Sequence, residues 1–289
     1  MKKPLIGASS ALLLAGATAL AGALPASAAT AAPTAPTTTS AKAPAVTVDF
    51  SGTVALSDCS GSLVRMPNSV DTDPALILTN GHCLETGMPG PGEVIVNQSS
   101  SRSFTLLSST GGRLGTLRAS KVVYSTMTDT DVTFYQLNTT YSSIKSRYGI
   151  SPLTMSTTHP VAGAGIKVVS GYWKKTYSCN IDGFVYRLKE GDWTWKDSVR
   201  YTPSCNTIGG TSGSPVVDTG TGQLVAVNNT GNEDGETCTV DNPCEVDENG
   251  KVTVRQGINY AEETYTIPSC FAAGNRLDLT LPSCTLPQP

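Results

Sequence analysis

The sequence predicts an all-β protein, a sandwich or barrel built in two halves. Three observations predict it. Short runs rich in Val, Thr, Tyr and Ile recur between clusters of Gly, Pro, Asn and Ser; helical periodicity is scarce once the N-terminal apolar stretch is passed; and a polar stretch divides the runs into two sets of similar size.

The chain begins MKKPLIGASSALLLAGATALAGALPASAA, which joins two lysines, an apolar Ala/Leu stretch and a small-x-small site at Ala26-Ser27-Ala28. That is the pattern of a secretory signal over 1–28. Glycines interrupt the apolar run, it ends at a cleavage-like site, and no later stretch is long or apolar enough to span a bilayer, so the expectation is an exported protein with no membrane association after cleavage. Residues 29–47 are dense in Pro, Thr and Ala and too poor in bulky apolar groups to fold alone, which makes them a linker or short pro-segment. The runs VDFSGTVAL, CSGSLVRM, ALILTNGHC, GEVIVNQS, FTLLSS, KVVYST and DVTFYQL then fill an N-terminal half, 48–145. The stretch from Thr139 to Pro152 connects the halves, with a turn or two of helix over Ser142 to Tyr148. IKVVSGYW, FVYRL, SPVVD, QLVAVNN and KVTVRQGINY belong to a C-terminal half, 146–289, which ends in a cysteine-bearing tail. If each half closes into a barrel, the cleft between them is the natural place for a site.

Loss of Lys2 and Lys3 with the leader leaves 18 basic against 23 acidic residues, a balance that argues against nucleic acid as a partner. Eight cysteines, Cys59, Cys83, Cys179, Cys205, Cys238, Cys244, Cys270 and Cys284, form an even set in an exported chain, where disulfides are favoured. None has the paired spacing of a zinc site and only two histidines are present, so neither a structural metal nor a cofactor is expected. The acids Asp241, Glu245, Asp247 and Glu248 read as a solvated DENG hairpin turn, with Gly250 supplying a positive dihedral, in preference to a calcium site.

Three pieces carry chemistry: LTNGHC with His82, DVTFYQL led by Asp131, and GGTSGSP with Ser212. A serine hydroxyl is a weak nucleophile at its own pKa and needs a neighbouring base, and that base needs a third group to hold its tautomer. Here one of each sits beside an apolar strand, in the order His, Asp, Ser. Asp131 is preferred to Asp129 because it directly precedes the apolar run; the two face opposite sides of an extended segment. His159, in TTHPVAG, is expected in an exposed loop. An α/β-hydrolase elbow is excluded because Ser214 stands where G-x-S-x-G needs its second glycine and because that fold places its histidine last.

Together these pieces resemble the secreted bacterial branch of the trypsin-like, chymotrypsin-fold serine proteases. LTNGHC is similar to the family's T-A-A-H-C apart from Asn80 and Gly81; Gly210 to Pro215 are similar to G-D-S-G-G-P, with Thr211 and Ser214 replacing Asp and Gly; and CSGSL at Cys59 resembles C-G-G-S-L. The resemblance implies two antiparallel six-stranded β-barrels with a site in the cleft between them, and a secreted, monomeric serine endopeptidase acting on proteins or peptides. It also implies catalytic roles for His82, Asp131 and Ser212, an oxyanion hole from the amides of Gly210 and Ser212, and a Cys59–Cys83 bridge. A catalytically inactive, protease-like binding protein is the alternative.

Two departures matter. Thr211 carries no charge, so activation by an ion pair between this position and a new N-terminus is not expected. Counting back from Ser212 puts Asn206 at the base of the primary pocket, with Thr207 and Asn228 beside it. That set does not support a preference for Arg or Lys. Thr207 fits a glutamate-specific branch, a narrower reading weakened by the lack of histidine in Val225 to Thr230. For the other cysteines, nearest-neighbour pairing (Cys179–Cys205, Cys238–Cys244, Cys270–Cys284) competes with Cys205–Cys238. The aromatics of GYWKKTYS and GDWTWKD line subsites or pack against a barrel; the sequence leaves both open.

Overall fold

A computed structural model describes residues 46–289. The leader expected over 1–28, and nearly all of the segment expected over 29–47, lie outside the described residues.

The first half builds strands β1 (Thr53–Ala55), β2 (Ser60–Arg65), β3 (Pro74–Thr79), β4 (Val94–Ser99), β5 (Ser103–Leu107), β6 (Arg113–Thr126) and β7 (Val132–Thr140). Antiparallel pairing in the order β1-β5-β6-β7-β3-β2 returns to β1 and closes a six-stranded barrel, with β4 paired to the far end of the long β6. Register shifts at Ala119/Lys121 and Val122/Tyr124 are the bulges that let β6 turn the corner. Helix α1 (Tyr141–Tyr148) follows, with Thr140 Oγ1 accepting from Ser143 N–H at its start and Gly149 in a left-handed conformation (φ 72°) at its end. A short β8 (Leu153–Thr154) runs parallel to β2 and so stays with the first sheet, although it falls beyond 145.

The second half builds β9 (Gly165–Ser170), β10 (Lys175–Glu190), β11 (Trp193–Tyr201), β12 (Pro215–Asp218), β13 (Leu224–Gly231), β14 (Cys244–Val246), β15 (Val252–Val254) and β16 (Asn259–Glu263). The ring β11-β16-β13-β12-β9-β10 closes on β11, and the β14–β15 hairpin, turned at Gly250 (φ 80°), adds to β10. Two antiparallel six-stranded barrels are thus the observed architecture. β11 is absent from the sequence-derived runs, and β10 extends well beyond FVYRL. Their Lys, Asp and Arg residues mask a period-2 pattern in which Cys179, Ile181 and Val185 on β10 and Trp195 and Val199 on β11 are buried.

The strands nearest the second half are buried on both faces. Leu63, Ile77 and Tyr135 point into the first barrel, while the alternate residues Val64, Leu76, Leu78 and Phe134 pack outward against Met155, Leu224 and Val227 and against the tail residues Ile267, Phe271 and Leu286. This is why LV, ALIL and VTFY read as unbroken apolar runs. The cysteines pair as Cys59–Cys83, Cys179–Cys205, Cys238–Cys244 and Cys270–Cys284, so Cys205–Cys238 does not form. No helix among the described residues is long and apolar enough to cross a membrane.

Candidate active site

His82 lies just after β3, where the chain makes a tight turn with Leu84 N–H donating to the Gly81 carbonyl at 2.9 Å. Asp131 immediately precedes β7, the neighbour of β3 in the ladder, and is fully buried. Adjacent strands therefore deliver the two side chains to one place. Asp131 Oδ2 is 2.6 Å from His82 Nδ1, Oδ1 accepts the His82 amide at 3.0 Å, and Asn80 Nδ2 donates to the Asp131 carbonyl at 2.8 Å. Both departures from T-A-A-H-C now have a reason. Asn80 ties the turn to Asp131, and a Cβ on Gly81 would lie 2.2 Å from the Thr126 carbonyl and 2.8 Å from Asp131 Oδ1. Burial alone would lower the His82 pKa, but the charge and hydrogen bond of Asp131 outweigh it and hold the imidazole above the usual 6.5.

Ser212 sits in the turn before β12. Gly213 (φ 78°) is pressed against the first barrel so closely that a Cβ would meet the Ser60 carbonyl at 2.1 Å, and Ser60 N–H donates to the Ser212 carbonyl at 2.7 Å. The loop brings Ser212 and His82 into the lining of one cleft. Ser212 Oγ donates to the Asn229 carbonyl at 3.3 Å; no hydrogen bond joins it to His82 among the described residues. Asn229 is held in turn by Glu262, whose fully buried carboxyl accepts from Asn229 Nδ2 at 2.9 Å and is pushed by burial up to about 8.

The preceding loop is fixed by side chains from β2 and from the β9–β10 turn. Trp173 Nε1–H donates to the Gly209 carbonyl at 2.7 Å, Ser60 Oγ donates to the Gly210 carbonyl at 3.3 Å, and Thr211 N–H and Oγ1 both donate to the Ile208 carbonyl. Because a trans peptide sets N–H opposite C=O, tying the Gly209 carbonyl to Trp173 turns the Gly210 N–H the other way. The Thr211 carbonyl, which accepts from Ser214 and Asn228, does the same for Ser212 N–H. Neither amide has an acceptor among the described residues. Thr211 is buried and bonded within the loop, so hydrogen bonds hold this turn without a charged side chain at that position.

Of the expected pocket residues, Thr207 and Asn228 line the cleft; Thr207 Oγ1 donates to Asn259 Oδ1 at 2.7 Å and Asn228 accepts from Tyr201. Asn206 does not line it. The Cys179–Cys205 bridge holds Cys205 inward, and in an extended segment the next side chain faces the other way, which leaves Asn206 exposed and Thr207 buried. The acids of the cleft come from elsewhere. Glu190 at the end of β10, with Glu233 and Asp241, lines it beside Trp193. Sequence reasoning assigned no role at the site to Ser60, Trp173, Glu190 or Asn229; only the GYWK aromatics drew attention, as either subsite lining or barrel packing. His159 is held by Asp197 and Glu263, outside the cleft lining, and Asp129 pairs with Lys196.

Two closed barrels with a cleft containing a His–Asp pair and a serine on a glycine-rich turn define a fold of the serine-protease type. The chain belongs to the trypsin-like peptidase domain family, whose sequence profile matches residues 59–227. Similar solved structures include the protease domain of MamO from Magnetospirillum magneticum (14% identity, 76% of this chain and 96% of that one, TM-score 0.48). The Rv3671c protease of M. tuberculosis in its active form (14%, 82% and 82%, 0.45) and a Nocardiopsis protease (15%, 75% and 93%, 0.41) are also similar. No curated protein matches the chain.

Proposed function

We propose that the protein is a secreted, monomeric serine endopeptidase that cuts protein or peptide substrates through an acyl-enzyme. The observation that carries this reading is the His82–Asp131 pair, 2.6 Å apart, in the same cleft as Ser212. Ser212 Oγ leaves the Asn229 carbonyl, gives its proton to His82 Nε2 and attacks the substrate carbonyl carbon. Asp131 holds the proton on His82 Nδ1 and stabilises the imidazolium. The Gly210 and Ser212 amides, having no acceptor among the described residues, are free to stabilise the oxyanion. His82 then protonates the leaving amine, and water releases the acyl group by the same route.

Organophosphonate labelling tests it. Wild type is expected to be labelled on Ser212 and to hydrolyse peptides, and Ser212→Ala to do neither. The Ser212–Asn229 contact favours a second reading, a latent or inactive protease-like binding protein; an unlabelled wild type with no peptide hydrolysis would establish that one instead. The narrower glutamate-specific reading is disfavoured by Glu190, Glu233 and Asp241 in the cleft.

A further inference from the structure

Outside the cleft, three side chains from separate elements converge: His159 from the segment between the barrels, Asp197 from β11 and Glu263 from the end of β16. His159 Nε2 is 3.2 Å from Asp197 Oδ2 and 3.1 Å from Glu263 Oε1. The other ring nitrogen settles the tautomer. Nδ1 is 2.7 Å from the Pro160 carbonyl, which can only accept, so Nδ1 carries a hydrogen and the lone pair of the neutral form is the one at Nε2. That lone pair faces two carboxylates.

Such a meeting of three donors is unfavourable without a positive charge among them. No lysine or arginine among the described residues supplies it, since Lys196, the basic residue beside Asp197 in sequence, is paired with Asp129; what is left is a second proton on His159 or a bound cation. The Glu263 side chain is only 5% exposed, and neither of its oxygens receives a hydrogen bond among the described residues. Phe184 and Tyr265 meet the imidazole edge to face, with centroids 4.4 and 5.0 Å away, and fix the ring.

We propose that His159, Asp197 and Glu263 bind a divalent transition-metal ion of the Zn²⁺ class. Metal–nitrogen and metal–oxygen bonds of roughly 2.0–2.2 Å place neighbouring ligand atoms about 3.0–3.5 Å apart, which the two contacts of Nε2 match. A metal-bound histidine commonly gives its other N–H to a backbone carbonyl, as His159 does. One imidazole with two carboxylates suits zinc better than calcium, which prefers an all-oxygen shell. The ion ties the segment between the barrels to β11 and β16, so its role is that of a clip.

The test uses the leader-free chain stripped with a chelator and titrated calorimetrically with Zn²⁺ at neutral pH. Wild type is expected to bind one equivalent, and its melting temperature to rise with Zn²⁺. His159→Gln, at an exposed position, and Asp197→Asn are each expected to weaken binding by about 100-fold or more and to abolish the thermal shift. Binding equal in wild type and both variants, or no binding, overturns the proposal. So does a melting temperature that ignores Zn²⁺ and follows pH alone in wild type but not in His159→Gln, because a proton would then be the cation that closes the cluster.

Discussion

At His82 two opposing effects set the proton affinity. Burial disfavours the imidazolium, Asp131 favours it, and the balance raises the pKa above 6.5. A general base must be neutral, so kcat/KM is expected to fall as pH drops through an apparent pKa above 6.5. Asp131→Asn removes the charge and leaves burial in place. The acid limb should then move below its wild-type position while kcat falls by about 10⁴-fold, because an amide also holds the wrong tautomer. A pH–rate profile of both proteins checks this; an unmoved limb would mean that His82 is not the titrating base. The residues proposed for the site could each be picked out singly in the sequence. His82, Asp131 and Ser212 stand beside strands whose local patterns are intact, and adjacent strands brought the first two together. Asn206 lies outside the cleft lining; a count along the chain cannot see which way a disulfide turns the next side chain.

Two elements around the cleft were read too narrowly, for a related reason: their partners are remote in sequence. The β9–β10 turn carries Trp173 to the Gly209 carbonyl, 36 residues away. Trp173→Phe keeps the ring and removes the donor, which frees the Gly209–Gly210 peptide to rotate. A neutral hydrogen bond contributes about 1 kcal/mol, so kcat should fall about 5- to 10-fold with KM little changed. That is less than the roughly 10²–10³-fold lost when an oxyanion donor is removed outright. An unchanged kcat would relegate Trp173 to a surface contact. The end of β10 carries Glu190, whose Oε1 accepts the Asp241 amide at 2.9 Å while Oε2 has no hydrogen-bond partner among the described residues. Glu190 lines the cleft, so a substrate ammonium or guanidinium bound there would meet its carboxyl group. Glu190→Gln keeps an acceptor for Asp241 and removes the charge, so cleavage of Lys- or Arg-containing peptides should drop on the order of tenfold while glutamate-containing ones improve. Competition within a mixed peptide library reads both changes at once.

Over the whole molecule, each barrel is held by a terminal arm that belongs, in chain order, with the other. The N-terminal arm lies on the second barrel, where Val46 N–H donates to the Thr219 carbonyl at 2.6 Å and Lys167 Nζ to the Val48 carbonyl at 3.0 Å. The C-terminal tail, closed by Cys270–Cys284, returns to the first barrel, where Tyr124 donates to the Pro287 carbonyl and Asn275 bonds Ser69, Pro74 and Tyr141. A tail of short turns has no periodicity that announces its docking surface; the clue lay in the strands, whose unbroken apolar runs required something to cover their outer face. Phe271 is the tail's largest contribution to that cover, 3% exposed, with its ring 5.4 Å from Phe134. Phe271→Ala is expected to cost about 3–5 kcal/mol, the usual range for a large aromatic removed from a packed core. The loss falls on a seam that positions Ser212 against His82. Denaturant midpoints should therefore drop, and activity should be lost with the same midpoint as the spectroscopic signal. Were the tail an appendage, Phe271→Ala would leave both where they were, and the outer faces of β2, β3 and β7 would have to be covered some other way.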